Sequence, residues 1–216
     1  MASRPKHAEP RPAPRLYLVT PRVADADAFA GALEAALTAG DVAAVLLRLA
    51  EGDERTSINR VKTLAPLVQA KNAALLIDGH AELVARAGAD GAHLVGLNEF
   101  SAALETLKPE RIAGIGGIST RHDAMTAAEQ GADYVMFGEP DEHGQRPAFD
   151  AIEERIAWWA EVFEAPCVGY AASMDEVDPL VKAGADFVAL GDFVWSDPAA
   201  IVAEAARQMH LPETAG

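Results

Sequence analysis

Short apolar runs alternate with longer stretches in which apolar residues recur every three or four positions, and the alternation persists from Arg15 to Met209. The runs fall at 15–20, 43–49, 74–78, 91–95, 112–119, 134–138, 167–171 and 187–191. They are apolar on both faces, which predicts strands of a covered parallel sheet. Helical periodicity occupies 27–39, 55–71, 121–130, 148–163, 174–183 and 199–209, whereas the segments after the third and fourth runs predict only short helices. Eight strand–helix units in one chain of this length predict a single (β/α)8 TIM barrel. A doubly wound open sheet is the alternative, but it calls for a glycine-rich first turn, and Val19-Thr20-Pro21-Arg22 has none.

A repeated joint sharpens the prediction. Gly88-Ala89-Asp90, Gly131-Ala132-Asp133 and Gly184-Ala185-Asp186 each end a helical stretch and lead into an apolar run. Glycine just past a helix closes the last turn in the left-handed conformation, so the motif marks the passage from helix to buried strand. The barrel is expected over residues 15–210. Residues 1–14, with four prolines and almost no apolar content, predict a disordered extension, and 211–216 a flexible tail.

Composition narrows the function classes. The formal charge of −15 argues against a nucleic-acid or anionic-membrane surface, because like charge repels polyanions. No secretory apolar segment and no 18-residue apolar span is present, so the expectation is a cytoplasmic protein. The single cysteine, Cys167, excludes an internal disulfide framework and reads as a strand interior position. Trp158, Trp159 and Phe163 make a stripe on the 148–163 helix that predicts either a homodimer contact or a cover for the barrel.

Barrels of this kind gather their chemistry at the carboxyl ends of the strands. Those positions are Thr20, Arg48, Asp78, His93, Ser119 with Thr120, Glu139, Tyr170 and Asp192. Arg48 ends an otherwise apolar run and requires either an anionic or polar ligand or an internal partner, for which Asp78 and Glu139 are the candidates. Asp78 and Glu139 suit a proton carrier, a metal ligand or an ion pair. Ser119 and Thr120 follow two glycines and suit ligand contact or helix capping. His93, inside a strand, reads as a core histidine in preference to a base.

The order of motifs resembles the thiamine-phosphate synthase/TenI family over nearly the whole barrel. Leu16-Tyr-Leu-Val-Thr20 is similar to its opening strand, and Gly88-Ala-Asp-Gly-Ala-His-Leu94 to its Gly-Ala-Asp-Gly-Val-His-Leu. Gly117-Ile-Ser-Thr120 resembles its Gly-Val-Ser-Thr, and Gly131-Ala-Asp-Tyr-Val-Met-Phe-Gly138 its Gly-Ala-Asp-Tyr-Val-Gly-Phe-Gly. The resemblance implies a thiamine-related enzyme that joins a pyrimidine diphosphate to a thiazole phosphate with Mg²⁺. Neutralising the charge that develops on the departing diphosphate is then the central chemistry.

Several positions depart from that pattern. The family's Gln-Leu-Arg-Glu-Lys stands as Leu46-Leu47-Arg48-Leu49-Ala50, its Asn-Asp as Asp78-Gly79, and its second metal aspartate falls near Asn98 or Glu99. Its Thr-x-Thr-Lys loop is replaced by Glu139-Pro-Asp-Glu-His-Gly-Gln-Arg146, and Asp192 takes the place of a serine. The TenI-like members carry a histidine where this chain has Glu139. The resulting expectation is a family barrel with an altered site: Glu139 and Asp78 as catalytic groups, Arg48, Ser119, Thr120 and Tyr170 toward a small-molecule substrate, and Asp78 with Glu99 as the residues left for Mg²⁺. Ordinary synthase turnover is not expected from this set, because Glu139, Asp141, Glu142 and Asp192 would repel two anionic substrates. Two alternatives stand beside it. One is a noncatalytic barrel that binds a thiazole-like or pyrimidine-like ligand, and the other a proton-transfer enzyme using Glu139 or Asp78 on a non-anionic substrate.

Overall fold

The computed structural model describes residues 12–210. Strands and helices alternate as β1 (Arg15–Val23), α1 (Ala26–Ala39), β2 (Val42–Leu49), α2 (Glu54–Gln69), β3 (Ala74–Asp78), α3 (Val84–Ala87), β4 (Gly91–Val95) and α4 (Gly96–Leu107). The second half continues as β5 (Ile112–Gly116), α5 (Arg121–Glu129), β6 (Tyr134–Phe137), α6 (Phe149–Val162), β7 (Cys167–Ala171), α7 (Val177–Lys182), β8 (Phe187–Leu190) and α8 (Pro198–Met209). Each strand pairs in parallel with the next and β8 closes on β1, so the sheet has no edge. This is a single (β/α)8 TIM barrel. The expected N-terminal extension lies outside the described residues apart from 12–14, which have no regular structure, and the expected tail at 211–216 lies wholly outside them.

Three boundaries differ from the periodicity. The helix after the fourth strand is not short: α4 has 12 residues, with Phe100, Ala103 and Leu107 buried on one face and the Glu99 carboxylate accepting from Val95 N–H at its start. β1 runs on to Val23, because Arg22 and Val23 pair with Arg48 and Leu49 beyond a register shift. β5 ends at Gly116, which leaves Ser119 on the loop ahead of α5.

The Gly-Ala-Asp joint has a physical reason that the sequence alone does not show. Gly88, Gly131 and Gly184 all take positive φ, at 80°, 96° and 97°. The aspartate that follows then clasps the first residues of the preceding strand by two bonds. Asp90 N–H donates to Leu75 O at 2.8 Å while its Oδ2 accepts from Leu75 N–H at 2.8 Å. Asp133 does the same to Ala113, at 3.0 and 2.7 Å, and Asp186 to Cys167, at 3.0 and 2.8 Å. A carboxylate thus satisfies a strand-end amide that no sheet partner reaches, at the face of the barrel opposite the site.

Strand side chains alternate between two cores. Leu16 and Leu18 belong to the outer cluster, which contains the buried faces of the helices. Tyr17, Val19, Ala44, Leu46, Leu76, Tyr134, Met136, Val168, Tyr170 and Ala189 form a second cluster of strand residues alone, which is the barrel interior. β5 gives this interior space through glycine: a Cβ on Gly114 would stand 2.0 Å from the Tyr134 ring, and one on Gly116 would stand 1.8 Å from Glu139 Oε1. Outside, Trp159 is fully buried against Phe137 and Phe163 and donates to Ala165 O at 2.7 Å. Trp158 is half-buried, with the Arg121 guanidinium 4.6 Å from its ring centre. Within the chain, most of the aromatic stripe covers the barrel.

Candidate active site at the strand ends

The carboxyl ends of the strands open into a cavity of about 900 Å³. Its apolar wall comes from Val19, Leu46, Met136 and Tyr170, and its polar wall includes Arg48, Asp78, His93, Glu99, Ser119 and Glu139. Six of the nine mouth positions named from the sequence therefore meet here, and Glu99 joins them. Thr20, Thr120 and Asp192 do not line it. Thr20 is buried and its hydroxyl accepts from Arg48 N–H at 3.0 Å. Thr120 is the N-cap of α5, accepting from Asp123 N–H at 3.0 Å and donating to Asp123 Oδ2 at 2.7 Å.

Arg48 is held by Thr20 O, to which its Nε donates at 2.5 Å, and by an ion pair with Asp192. Its internal partner is thus neither Asp78 nor Glu139. The reason is direction: the bond of Nε to Thr20 O turns the guanidinium across β1 toward β8, which Asp192 follows directly, and away from Asp78 on the neighbouring β3. Ser119 is exposed on a loop fixed by Arg155, which donates to Ile118 O at 2.9 Å and to Ser119 O at 3.2 Å. Tyr170 is buried at the cavity wall, with the Arg146 guanidinium 5.7 Å from its ring centre. Arg146 was not among the expected site residues. It forms a half-buried fork with Glu176, at 3.1 and 2.9 Å, and donates to Tyr170 O at 3.2 Å. Its only sequence signal is a cation inside an otherwise acidic loop.

The most ordered polar feature is a chain of hydrogen bonds that runs from the barrel interior to the cavity. Tyr17 and Tyr134 hydroxyls are 2.9 Å apart, Tyr134 OH and His93 Nδ1 are 2.8 Å apart, and His93 Nε2 and Glu139 Oε2 are 3.2 Å apart. The other Glu139 oxygen, Oε1, accepts from Gly117 N–H. His93 is 1% exposed, so it is a core residue as read, and it also touches the cavity and supports Glu139. Burial works against a charged imidazole, but the charge and hydrogen bond of Glu139, with Asp78 behind, outweigh it and raise the His93 pKa. Burial raises the Asp78 pKa, with Glu139 adding to it and His93, Arg48 and Arg22 opposing. Tyr17 and Tyr134 are pushed far above the ordinary phenol value, chiefly by burial, and stay protonated.

The cavity is not simply acidic. Five carboxylates line it, from Asp78, Glu99, Glu139, Asp141 and Glu142, and so do four guanidinium groups, from Arg22, Arg48, Arg146 and Arg155. Three of those four are already engaged by carboxylates or carbonyls within the chain.

With this geometry in place, the relatives can be compared. Residues 16–194 match the protein family described as Thiamine monophosphate synthase. The chain belongs to that family. It is 43% identical over 189 residues to a thiamine-phosphate synthase of Rhodospirillum centenum, covering 86% of this chain and 91% of that one. It is 38% identical over 210 residues to a thiamine-phosphate synthase of Hyphomonas neptunium, covering 90% and 93%. A solved structure, the thiamine phosphate pyrophosphorylase from Pyrococcus furiosus, superposes with a TM-score of 0.72 at 22% identity, over 90% of this chain and 94% of that one, and supports the fold.

Family membership implies Mg²⁺, and Asp78 and Glu99, the carboxylates expected to hold it, both line the cavity. Glu99 turns one carboxylate oxygen to Val95 N–H at 3.1 Å, Asp78 is half-buried with its pKa raised chiefly by that burial, and no group of three or more His, Cys, Asp or Glu side chains converges among the described residues. Magnesium calls for ionised oxygen ligands in near-octahedral array. Among the described residues no helix is long and apolar enough to cross a membrane.

Proposed function

We propose that this member of the thiamine monophosphate synthase family binds a small molecule of the thiamine-precursor type and acts on it by proton transfer at Glu139, not by displacement of a diphosphate. The observation that carries the reading is the seating of Glu139. Its carboxylate is 16% exposed at the cavity wall, held by Gly117 N–H and by a histidine that is itself anchored in the barrel core. A carboxylate fixed in this way can take a proton from one atom of a bound ligand and return it to another, which isomerises the ligand without changing its composition. Asp78 presents a second carboxyl group to the cavity, and Arg48, Ser119 and Tyr170 orient the ligand. A departing diphosphate would find Arg48 committed to Asp192, Arg146 to Glu176 and Arg155 to the Ile118 and Ser119 carbonyls, with only Arg22 of the four guanidinium groups free of a side-chain bond among the described residues. The formal charge of −15 also favours a small ligand over a polyanion or an anionic membrane surface.

A second reading, synthase turnover, is favoured by the names of the relatives at 43% and 38% identity. One experiment separates the two. Thiazole and pyrimidine precursors, with and without phosphate, are incubated in D₂O and followed by NMR, beside the pyrimidine diphosphate and thiazole phosphate pair with Mg²⁺ and calorimetry of each compound. Deuterium uptake or isomerisation that disappears in Glu139→Gln supports proton transfer. Formation of thiamine phosphate at a rate unaffected by Glu139→Gln overturns it in favour of the synthase, and binding without any turnover leaves a ligand-binding barrel.

A further inference from the structure

Two buried tyrosines, Tyr17 and Tyr134, have no place in the reaction just described, yet they end the hydrogen-bond chain that reaches Glu139. We infer that Tyr134, its hydroxyl met in turn by Tyr17, is a positioning residue that keeps His93 in the Nε2–H tautomer, so that the ring always presents a donor to the Glu139 carboxylate. The inference rests on the reading of Glu139 as the proton carrier, and it concerns what the core does for that residue.

The argument is an accounting of donors and acceptors. Tyr17 and Tyr134 lie in the closed interior, 2% and 6% exposed, where an unmet hydroxyl proton is costly. The only hydrogen-bond partner of Tyr17 OH among the described residues is Tyr134 OH. Tyr134 OH has two, Tyr17 OH and His93 Nδ1. If His93 carries its proton on Nε2, Tyr17 donates to Tyr134, Tyr134 donates to the bare Nδ1, and Nε2–H donates to Glu139. Every hydrogen in the chain then has an acceptor. If His93 carries a proton on Nδ1, as the other tautomer or as the imidazolium, Tyr134 must accept it and turn its own proton to Tyr17. Tyr17 then has nothing left to donate to.

The tyrosines therefore oppose a proton on Nδ1, while the carboxylates of Glu139 and Asp78 favour the charged ring. The groups facing His93 are Glu139 and Tyr134 from the β6 side, Asp78 from β3, where it pairs with His93 in register, the Gly114 backbone of β5, and Tyr17 beyond Tyr134. Ring packing fixes the arrangement further: His93 and Tyr134 lie nearly parallel, at 15°, with centres 5.7 Å apart, and Tyr17 meets Tyr134 edge-on at 5.8 Å.

The test is ¹⁵N NMR of the histidine-labelled full chain without ligand, using five proteins: wild type, Glu139→Ala, Tyr134→Phe, the Glu139→Ala/Tyr134→Phe double variant and Tyr17→Phe. Far-ultraviolet circular dichroism of each variant reports that the fold is kept. At alkaline pH, wild-type His93 is expected to show one protonated nitrogen, Nε2, and to keep that tautomer in Glu139→Ala, where only the tyrosines remain to hold it. The double variant is expected to show both tautomers. In Tyr17→Phe a proton on Nδ1 would orphan the Tyr134 hydroxyl in place of the Tyr17 one, so His93 is expected to keep the Nε2–H tautomer there too. A proton on Nδ1 in the wild type, loss of the tautomer in Glu139→Ala alone, or loss of it in Tyr17→Phe would each overturn the inference. Absence of any turnover would remove the catalytic reading of Glu139 and leave these nitrogen signals as they are, so the two failures are distinguishable.

Discussion

Gly116→Ala tests the seating of Glu139 without touching a polar group. Gly116 ends β5 with a backbone conformation open to alanine, but the added Cβ would lie 1.8 Å from Glu139 Oε1 and 2.5 Å from Oε2. The atoms in the way are the far end of a flexible side chain, so the carboxylate should swing into the cavity while the strand stays in place. The displaced carboxylate finds water in an open mouth, and Gly117 N–H, which is exposed, does too. His93 Nε2–H does not, and an orphaned buried donor costs about 1–3 kcal/mol. Against this stands a gain of about 0.4–1 kcal/mol from a less flexible unfolded chain. The net expectation is a loss of about 1–2 kcal/mol in urea denaturation. Activity should fall much further, by about 10²–10⁴-fold in the NMR proton-transfer assay, because a general base that has left its position loses its full contribution. A variant that unfolds by more than about 4 kcal/mol would mean that the backbone moved instead of the side chain. A stable variant with full activity would refute the role of the seated Glu139.

Asp186→Ala removes both the carboxylate acceptor of Cys167 N–H and its charge, and should cost about 1.5–3 kcal/mol in chemical denaturation with little change in ligand binding; Asp133→Ala should behave alike, since the clasp is the same. Arg48→Ala should weaken calorimetric binding of the thiazole or pyrimidine precursor that the protein takes, and unchanged binding of all of them, phosphorylated or not, would dismiss Arg48 as a ligand contact. For Asp78 the sign is set by its raised pKa in the folded state. The folded chain then holds the proton more tightly than the unfolded one, so stability declines as pH rises from the unfolded carboxyl value through the folded one. Asp78→Asn should flatten that part of the pH–stability curve, and an advantage of the wild type that grows with pH would contradict the assignment.

The architecture was legible because the barrel repeats a local signal. Eight apolar runs, helical spacing between them and three Gly-Ala-Asp joints report on neighbouring residues in the chain, and hydrophobic burial acts on just that periodicity. Arg48, Asp78, Ser119, Glu139 and Tyr170 were also legible, since position at a strand's carboxyl end follows once the strands are placed. The length of α4 was underread although its apolar spacing was present.

What closure of the barrel decided is who meets whom. Strand parity alone sends Tyr17, His93 and Tyr134 inward, but β1, β4 and β6 are not neighbours in the sheet, and only the closed cylinder brings their side chains together. The pairing of Arg48 with Asp192, 144 residues apart in the chain, likewise depends on β8 returning beside β1. The aspartate of each repeated joint could be read as punctuation, but not as a clasp on the strand before it, because its partner is fixed by sheet register. The sequence by itself determined the elements and the end of the barrel that holds the site. The hydrogen-bond chain behind Glu139 and the pairing of the arginines came from tertiary closure, since these contacts link residues whose separation along the chain carries no periodic signal.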